Sequence, residues 1–348
     1  MRPHKGWRNS IGWKFWAGLL ISALFLYLAF RRVDLKRMWE VIRYADPIYL
    51  SLIVLLTFFT YILRAWRWAV LLEPIKKTRF SRRLSAILIG FAANCIFPAR
   101  LGEFIRANSL GRTEEISASS AFGTIVVERL FDGFTLLLIL MIGLLGTDFP
   151  LEWQGISGSL RATGFFLFAS YTFLIIVLIG FKIKTDPFLR FLERVLFFLP
   201  RHFRSRLIDM IRNFALGLVL VRRPLRWLQA VFYSLLLWFS ALVMIQLTES
   251  SIGLSLPFIA TFLIMAMASF GVMIPSAPGF IGTFHLSVQY GFLFYGVGKE
   301  EALSGAILWH AAMVVPTMIF GLVAYILSHL RSPAEDRGVP GEARPLDM

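Results

Sequence analysis

The sequence predicts an all-α polytopic membrane protein with about six full transmembrane helices and two Pro/Gly-broken re-entrant hairpins in an inverted-repeat arrangement. Three observations carry this. The 348 residues are 57% hydrophobic and only 16% charged, with a mean hydropathy of +0.69, whereas about a quarter of the residues in soluble domains are charged. Several windows of roughly twenty residues hold few or no charges, the length that spans a bilayer core of about 30 Å. Two further apolar regions are each interrupted by Pro and Gly, in NCIFPARLGEF and in IPSAPGFIGTF.

The first apolar run, residues 11–30, follows Arg2, Lys5 and Arg8 and ends in LYLAFRR without a small-residue cleavage site. It reads as a retained helix rather than a cleaved signal peptide. Residues 31–47 carry Arg31, Arg32, Lys36, Arg37 and Arg43 against three acids and read as a short interfacial helix. Full spans follow at 48–72, 117–146, 161–182, 227–248 and 302–328, with the broken regions at about 84–110 and 257–296. Basic residues gather in cytoplasmic loops. The loop KKTRFSRR and residues 182–226, with eleven basic residues against three acidic, are therefore inside. Residues 146–159 and 249–257 hold no Lys or Arg and are outside. Both termini are then cytoplasmic, and the net charge of +15 needs no nucleic acid to explain it.

The segment of about 183–226 interleaves its charges with Phe188, Phe191, Leu192, Val195 and Leu196. That is the pattern of an amphipathic helix lying on an inner leaflet rich in anionic lipids; a solvated loop is the alternative. Trp13, Trp16, Trp66, Trp68, Trp153 and Trp227 fall near span ends, where indoles anchor at the interface. Residues 331–348, rich in Pro, Gly and charge, read as a disordered cytoplasmic tail. Residues 1–330 then form a single membrane domain.

The two broken regions resemble each other. Pro98 and Gly102 stand four apart, as do Pro275 and Gly279, with Pro278 and Gly282 close behind. GRTEEIS follows the first and GKEEALS the second. With six full spans one break enters from each side, so units of about 48–146 and 227–328 form inverted repeats. Broken helices in matching positions of such repeats point to a transporter's substrate site. Pro ends each descending limb, Gly lets the chain reverse, and the freed helix termini offer N–H groups to an anion. Two ordinary helix kinks are the alternative.

Charges stand where the membrane is thickest. Glu128, Arg129 and Asp132 lie near the middle of the third span, where each costs roughly 2.5–3.5 kcal/mol on insertion scales unless paired or hydrated. Glu128 and Asp132 share a helix face, and Arg129 reaches Asp132 three residues on. A structural ion cluster and a hydrated binding site both remain open. Arg100, Glu103 and Arg106 flank the first break, and guanidinium forks suit phosphate. Asn94 can cap or line that break, and Ser276 lies in the second. Arg64 and Arg67 read as snorkelling anchors. His285 and His310 read as hydrogen-bonded core residues, with proton or head-group contact as the alternative. The single Cys95 excludes an internal disulfide and a cysteine metal cluster. No P-loop, HExxH or GxSxG occurs, so no catalytic residue, cofactor or metal is expected.

The combination of NCIFPARLGEFIRA, VVERLFDG, PSAPGFIGTFH and the upstream RAWRW resembles the membrane region of lysylphosphatidylglycerol synthases and their stand-alone, flippase-like relatives, over about residues 11–328. The resemblance implies lipid translocation in a bacterial inner membrane and argues against lipid aminoacylation, because no aminoacyl-transferase domain follows. It singles out Pro98, Arg100, Gly102, Glu103 and Arg106, then Glu128, Arg129 and Asp132, then Pro275, Pro278, Gly279 and Gly282. The expected substrate is a phosphate-bearing phospholipid, anionic or aminoacylated, or a lipid-linked head group. A membrane partner that presents lipid to a separate lipid-modifying enzyme is the first alternative, and an integral-membrane transferase the second.

Overall fold

Helix starts and stops follow local chemistry. The computed structural model describes residues 6–97, 100–149, 151–183 and 224–330, with positions 189, 194–198, 204 and 208 between them. Helix α1 (Gly6–Phe30) ends just before Arg32, which turns the chain with φ 64°. The Asp34 carboxylate then accepts the Lys36 and Arg37 N–H groups and opens α2 (Leu35–Arg43), bent 90° from α1. Asp46 does the same for α3 (Pro47–Leu72), which begins on a proline. Such caps satisfy amides that the helix itself cannot. Helix α2 leaves Leu35 and Trp39 exposed while Arg37 pairs with Glu301 at 2.7 Å, so the helix expected in residues 31–47 is present.

The first broken region is α4 (Phe80–Ile96) and α5 (Gly102–Glu114), followed by α6 (Ala118–Gly146) and α7 (Leu151–Ile183). Helix α7 begins well before residue 161, so the outer loop expected over 146–159 shrinks to a few residues. Helix α8 (Pro224–Ser251) precedes the second broken region, α9 (Phe258–Met273) and α10 (Thr283–Phe294), and α11 (Lys299–Leu330) closes the described chain. Among the described residues there are eleven helices besides short 3-10 turns, and no strand. Four of them (α3, α7, α8 and α11) are long and apolar enough to cross a membrane, and α1 with α2 forms a bent fifth candidate. Helix α6, 29 residues long, carries Glu128, Arg129 and Asp132 near its middle. Most of the basic segment of about 183–226, the tail 331–348 and Pro98 lie outside the described residues.

Packing pairs the two halves. Helix α3 lies against α8; α4 packs on α11 and α9 on α6; α5 returns along α4 and α10 along α9. Exchanging α3–α6 for α8–α11 leaves this scheme unchanged. The sequence match that accompanies it pairs Arg100 with Phe280, Gly102 with Gly282, Phe104 with Phe284 and Gly111 with Gly291, all at one constant spacing. The alignment expected from the sequence, Pro98 with Pro275 and Gly102 with Gly279, is therefore shifted. GRTEEIS closes α5 and its loop, whereas GKEEALS opens α11, so those segments are not equivalents.

Small residues let the limbs touch. A Cβ on Gly102 would stand 1.9 Å from the Gly90 carbonyl oxygen, and one on Gly321 would stand 2.2 Å from Ala92. Helix α1 seals the second break, where Ser22 Oγ accepts the Ala277 N–H at 2.8 Å and a Cβ on Gly282 would strike the Ser22 carbonyl oxygen at 2.5 Å.

Candidate functional site

The two breaks meet. Arg100 and Phe280, both in the left-handed region with φ 54° and 58°, face one another with the guanidinium 5.9 Å from the ring centre. His310 Nε2 lies 2.8 Å from the Gly279 carbonyl oxygen and therefore donates to it. Reversal at the first break thus rests on Arg100, not on Gly102 as expected; Gly102 is required by its close approach to Gly90. At the second break Gly279 (φ 72°) and Gly282 (φ 95°) do reverse the chain.

At each helix start beyond a break, one amide is taken by a side chain. Asn94 Oδ1 accepts the Gly102 N–H at 2.8 Å, and His285 Nδ1 accepts the Gly282 N–H at 3.3 Å. Asn94 is thus a cap, and His285 is a buried cap at the matching place. Ser276 Oγ accepts from Thr283 Oγ1 at 3.2 Å. Pro275 and Pro278 stand in the second break, Pro278 opening its 3-10 turn.

Behind the first break lies a charge network. Glu128 is fully buried and grips Arg106 through two bonds of 3.0 and 2.8 Å. Its Oε1 also accepts from Arg129 at 2.9 Å and lies 3.2 Å from Arg67. Asp132 binds Arg67 at 2.6 and 3.2 Å and Arg129 at 3.3 Å. Glu103 lies 3.6 Å from Arg129 Nε. Arg106 further stacks over Trp68 at 3.8 Å, and Trp68 Nε1 donates to Thr124 at 2.8 Å. Buried ions persist only when paired and hydrogen-bonded, and bidentate Arg–carboxylate pairs meet that need best. Arg67 and Trp68 are fully buried, which overturns their reading as snorkelling or interfacial anchors. Trp16 and Trp66 are exposed, while Trp227 packs on Phe131 at 5.2 Å. The side chains of Trp13 and Trp153 lie outside those described.

The network opens on a cavity of about 610 Å³. Arg64, Arg100, Glu103, Arg129 and Asp132 supply its charged lining, and Leu237, Met244, Met265, Val272 and Met313 are among its apolar lining. Tyr61, Cys95, Tyr171, Trp309 and His310 complete the lining. Arg64, read from sequence as an anchor, rests its guanidinium 4.8 Å from the Phe91 ring centre and faces this space. Arg106 and Glu128 do not line it, so the structure brings together Arg100, Glu103, Arg129, Asp132 and His310 at the cavity; Asn94, Ser276 and His285 do not line it, although the His285 ring packs edge-on against His310 with centres 4.7 Å apart. No group of His, Cys, Asp or Glu suited to a metal ion occurs among the described residues.

Apolar helices around a charge-lined cavity define a multi-pass integral membrane protein. The chain belongs to the family described as the lysylphosphatidylglycerol synthase TM region, which matches residues 15–321. It is 23% identical to a UPF0104 membrane protein of Methanothermobacter thermautotrophicus over 77% of this chain and 82% of that one. It is 24% identical to a UPF0104 membrane protein of Pyrococcus horikoshii over 88% and 95%. It is 30% identical to the Glycosyltransferase AglD of Haloferax volcanii over 38% of this chain and 22% of that protein. No solved structure matches.

Proposed function

We propose that the protein moves a phosphate-bearing lipid head group between the leaflets of a cytoplasmic membrane, with both termini cytoplasmic and the two broken regions re-entrant from opposite sides. The observation that carries this is the cavity beside the breaks, lined by charged side chains from the first half and mainly apolar ones from the second. Non-helical backbone at membrane depth is tolerated where it lines such a space. The head group sits against Arg64, Arg100 and Arg129, while its chains stay on the Met-rich side. Flexible thioethers adapt to irregular apolar surfaces. Glu103 and Asp132 hold Arg129 in place and offer a second contact to an amine-bearing head group. Anionic inner-leaflet lipids are further partners for the basic segment of about 183–226.

The test is head-group flipping in proteoliposomes, read with fluorescent phospholipids and dithionite quenching of the outer leaflet. Flipping above empty vesicles, lost in folded Arg129→Ala, supports the reading. Equal signals from protein and empty vesicles, for every lipid and with or without an imposed proton gradient, overturn it.

A second reading has one observation in its favour. The segment shared with the protein named a glycosyltransferase is 22% of that protein, so a region like this one occurs inside a longer chain of that name. In this reading the cavity presents lipid to a separate enzyme. A stable complex with a lipid-modifying enzyme, without flipping, favours it.

A further inference from the structure

The charges around the cavity do not balance. Arg67, Arg106 and Arg129 are matched by Glu103, Glu128 and Asp132 within the network described above. Two more guanidiniums, Arg64 and Arg100, line the same space, and neither has a carboxylate within ion-pair distance among the described residues. Arg64 rests on Phe91. Arg100 rests on Phe280 and makes one long bond, 3.3 Å, to the Val272 carbonyl oxygen. A guanidinium carries five N–H donors and does not lose its proton in proteins. Most donors of these two therefore have no protein acceptor. Trp309 adds another: its ring lines the cavity, it is 2% exposed, and its Nε1 has no partner. Asp132 is already engaged by Arg67 and Arg129, so it is not available to either surplus cation.

The surplus is confined to one half of the fold. At the spacing that pairs the two halves, Arg64 corresponds to Met244, Arg100 to Phe280, Arg129 to Trp309 and Glu103 to Thr283. The second half contributes mainly apolar side chains, the indoles of Trp238 and Trp309, and no Lys, Arg, Asp or Glu to the lining.

We infer that the cavity selects an amphiphile whose head is a dianionic phosphate, a phosphomonoester or diphosphate on an apolar chain, over a phosphodiester lipid. This rests on the head-group reading of the same cavity and goes further by naming the charge. A phosphodiester carries one negative charge and neutralises one of the two surplus cations. A phosphomonoester carries close to two near pH 7, neutralises both and offers three oxygens to their forks and to Trp309 Nε1. Its chain continues along the methionine wall. Arg64 and Arg100 are the specificity-determining pair, and Arg129 stays bound to its carboxylates.

The test is equilibrium binding to the full chain in detergent at pH 8, with three probes: dioleoyl phosphatidic acid, dioleoyl phosphatidylglycerol and inorganic phosphate. The two lipids share their chains and differ in the phosphate. The acid is expected to bind about ten- to a hundredfold tighter than the glycerol ester, the range of one added charged hydrogen-bond set. Arg64→Gln and Arg100→Gln should each erase most of that preference, weakening phosphatidic acid binding several-fold more than phosphatidylglycerol binding. Both variants should fold, because neither side chain sits in an ion pair. Equal affinity for the two lipids overturns the inference, as does a preference that survives both substitutions. Inorganic phosphate binding as tightly as phosphatidic acid assigns the site to a free anion and overturns the lipid assignment. The preference is independent of movement: selective binding without flipping keeps this inference and removes translocation, and unselective flipping does the reverse.

Discussion

The guanidinium of Arg100 stands 5.9 Å from the centre of the Phe280 ring, and each residue holds its backbone in the left-handed region. One comes from each broken pair of helices, and both line the cavity. Left-handed geometry costs a residue with a Cβ roughly 1–2 kcal/mol. Glycine, which bears no such cost, would be the local choice at both places. A residue that keeps strain at a cavity is a candidate for function.

Stability and activity should therefore part at Arg100. Arg100→Gly is expected to leave the melting temperature of the detergent-solubilised protein unchanged or raised, since about 1 kcal/mol of backbone strain is relieved. Flipping in proteoliposomes should fall at least about tenfold, the loss of one charge-assisted contact. A parallel fall in both would assign Arg100 a packing role only.

The carboxylate of Glu128 should be the most costly site charge to remove. Glu128→Leu leaves Arg106 and Arg67 buried with too few acceptors, and breaking a buried pair from one side costs about 3–5 kcal/mol. Adding Arg106→Met to Glu128→Leu should recover part of the loss, because the second uncompensated ion is removed with the first. Thermal unfolding of the single and double variants checks this, and additive losses would contradict it.

Arg129 should tolerate no lysine. It reaches Glu103, Glu128 and Asp132 together, and a single ammonium cannot reproduce a planar fork. Arg129→Lys is expected to fold yet flip lipid at least about tenfold more slowly than wild type, one lost charge-assisted contact or more. Wild-type rates from the lysine variant would show that charge alone suffices.

Glycine substitutions should sort by space. Gly102→Ala places a methyl 1.9 Å from the Gly90 carbonyl oxygen, a fixed backbone atom, whereas Gly158 has nothing within 4 Å. The first should abolish folded yield and the second should be silent. Size-exclusion profiles of both decide it.

Cys95 is the sole cysteine and lines the cavity. A small, water-soluble thiol reagent should label it in wild-type protein, and a bound lipid should slow the labelling. A rate unaffected by lipid would place the head group elsewhere.

Much of this was legible in the sequence, and the failures have physical causes. The charges of α6 were conspicuous because nothing in a bilayer core tolerates them alone, and Glu128, Arg129 and Asp132 do form one network. Asn94 was legible as a cap. Arg67 was not legible as a partner: its place in RAWRW suits a snorkelling residue equally well, and only the packing of α3 on α6 reveals the acids beside it. Arg64 was missed because only the packing of the helices shows that it lines the cavity. The glycines were read as hinges because of their type, but Gly102 is required by a helix crossing, which no local pattern encodes. The repeat was visible, while its register was not, because Pro275 and Pro278 offer two alignments and only matched helix ends choose between them.

The halves share a packing scheme and differ in polarity at corresponding places. The cavity is therefore keyed. A molecule with two similar ends has no preferred way to sit in it, whereas an amphiphile can be seated in only one orientation. Had both halves kept the arginines, the same room would have been a symmetric ion trap, with no wall left for a hydrocarbon tail.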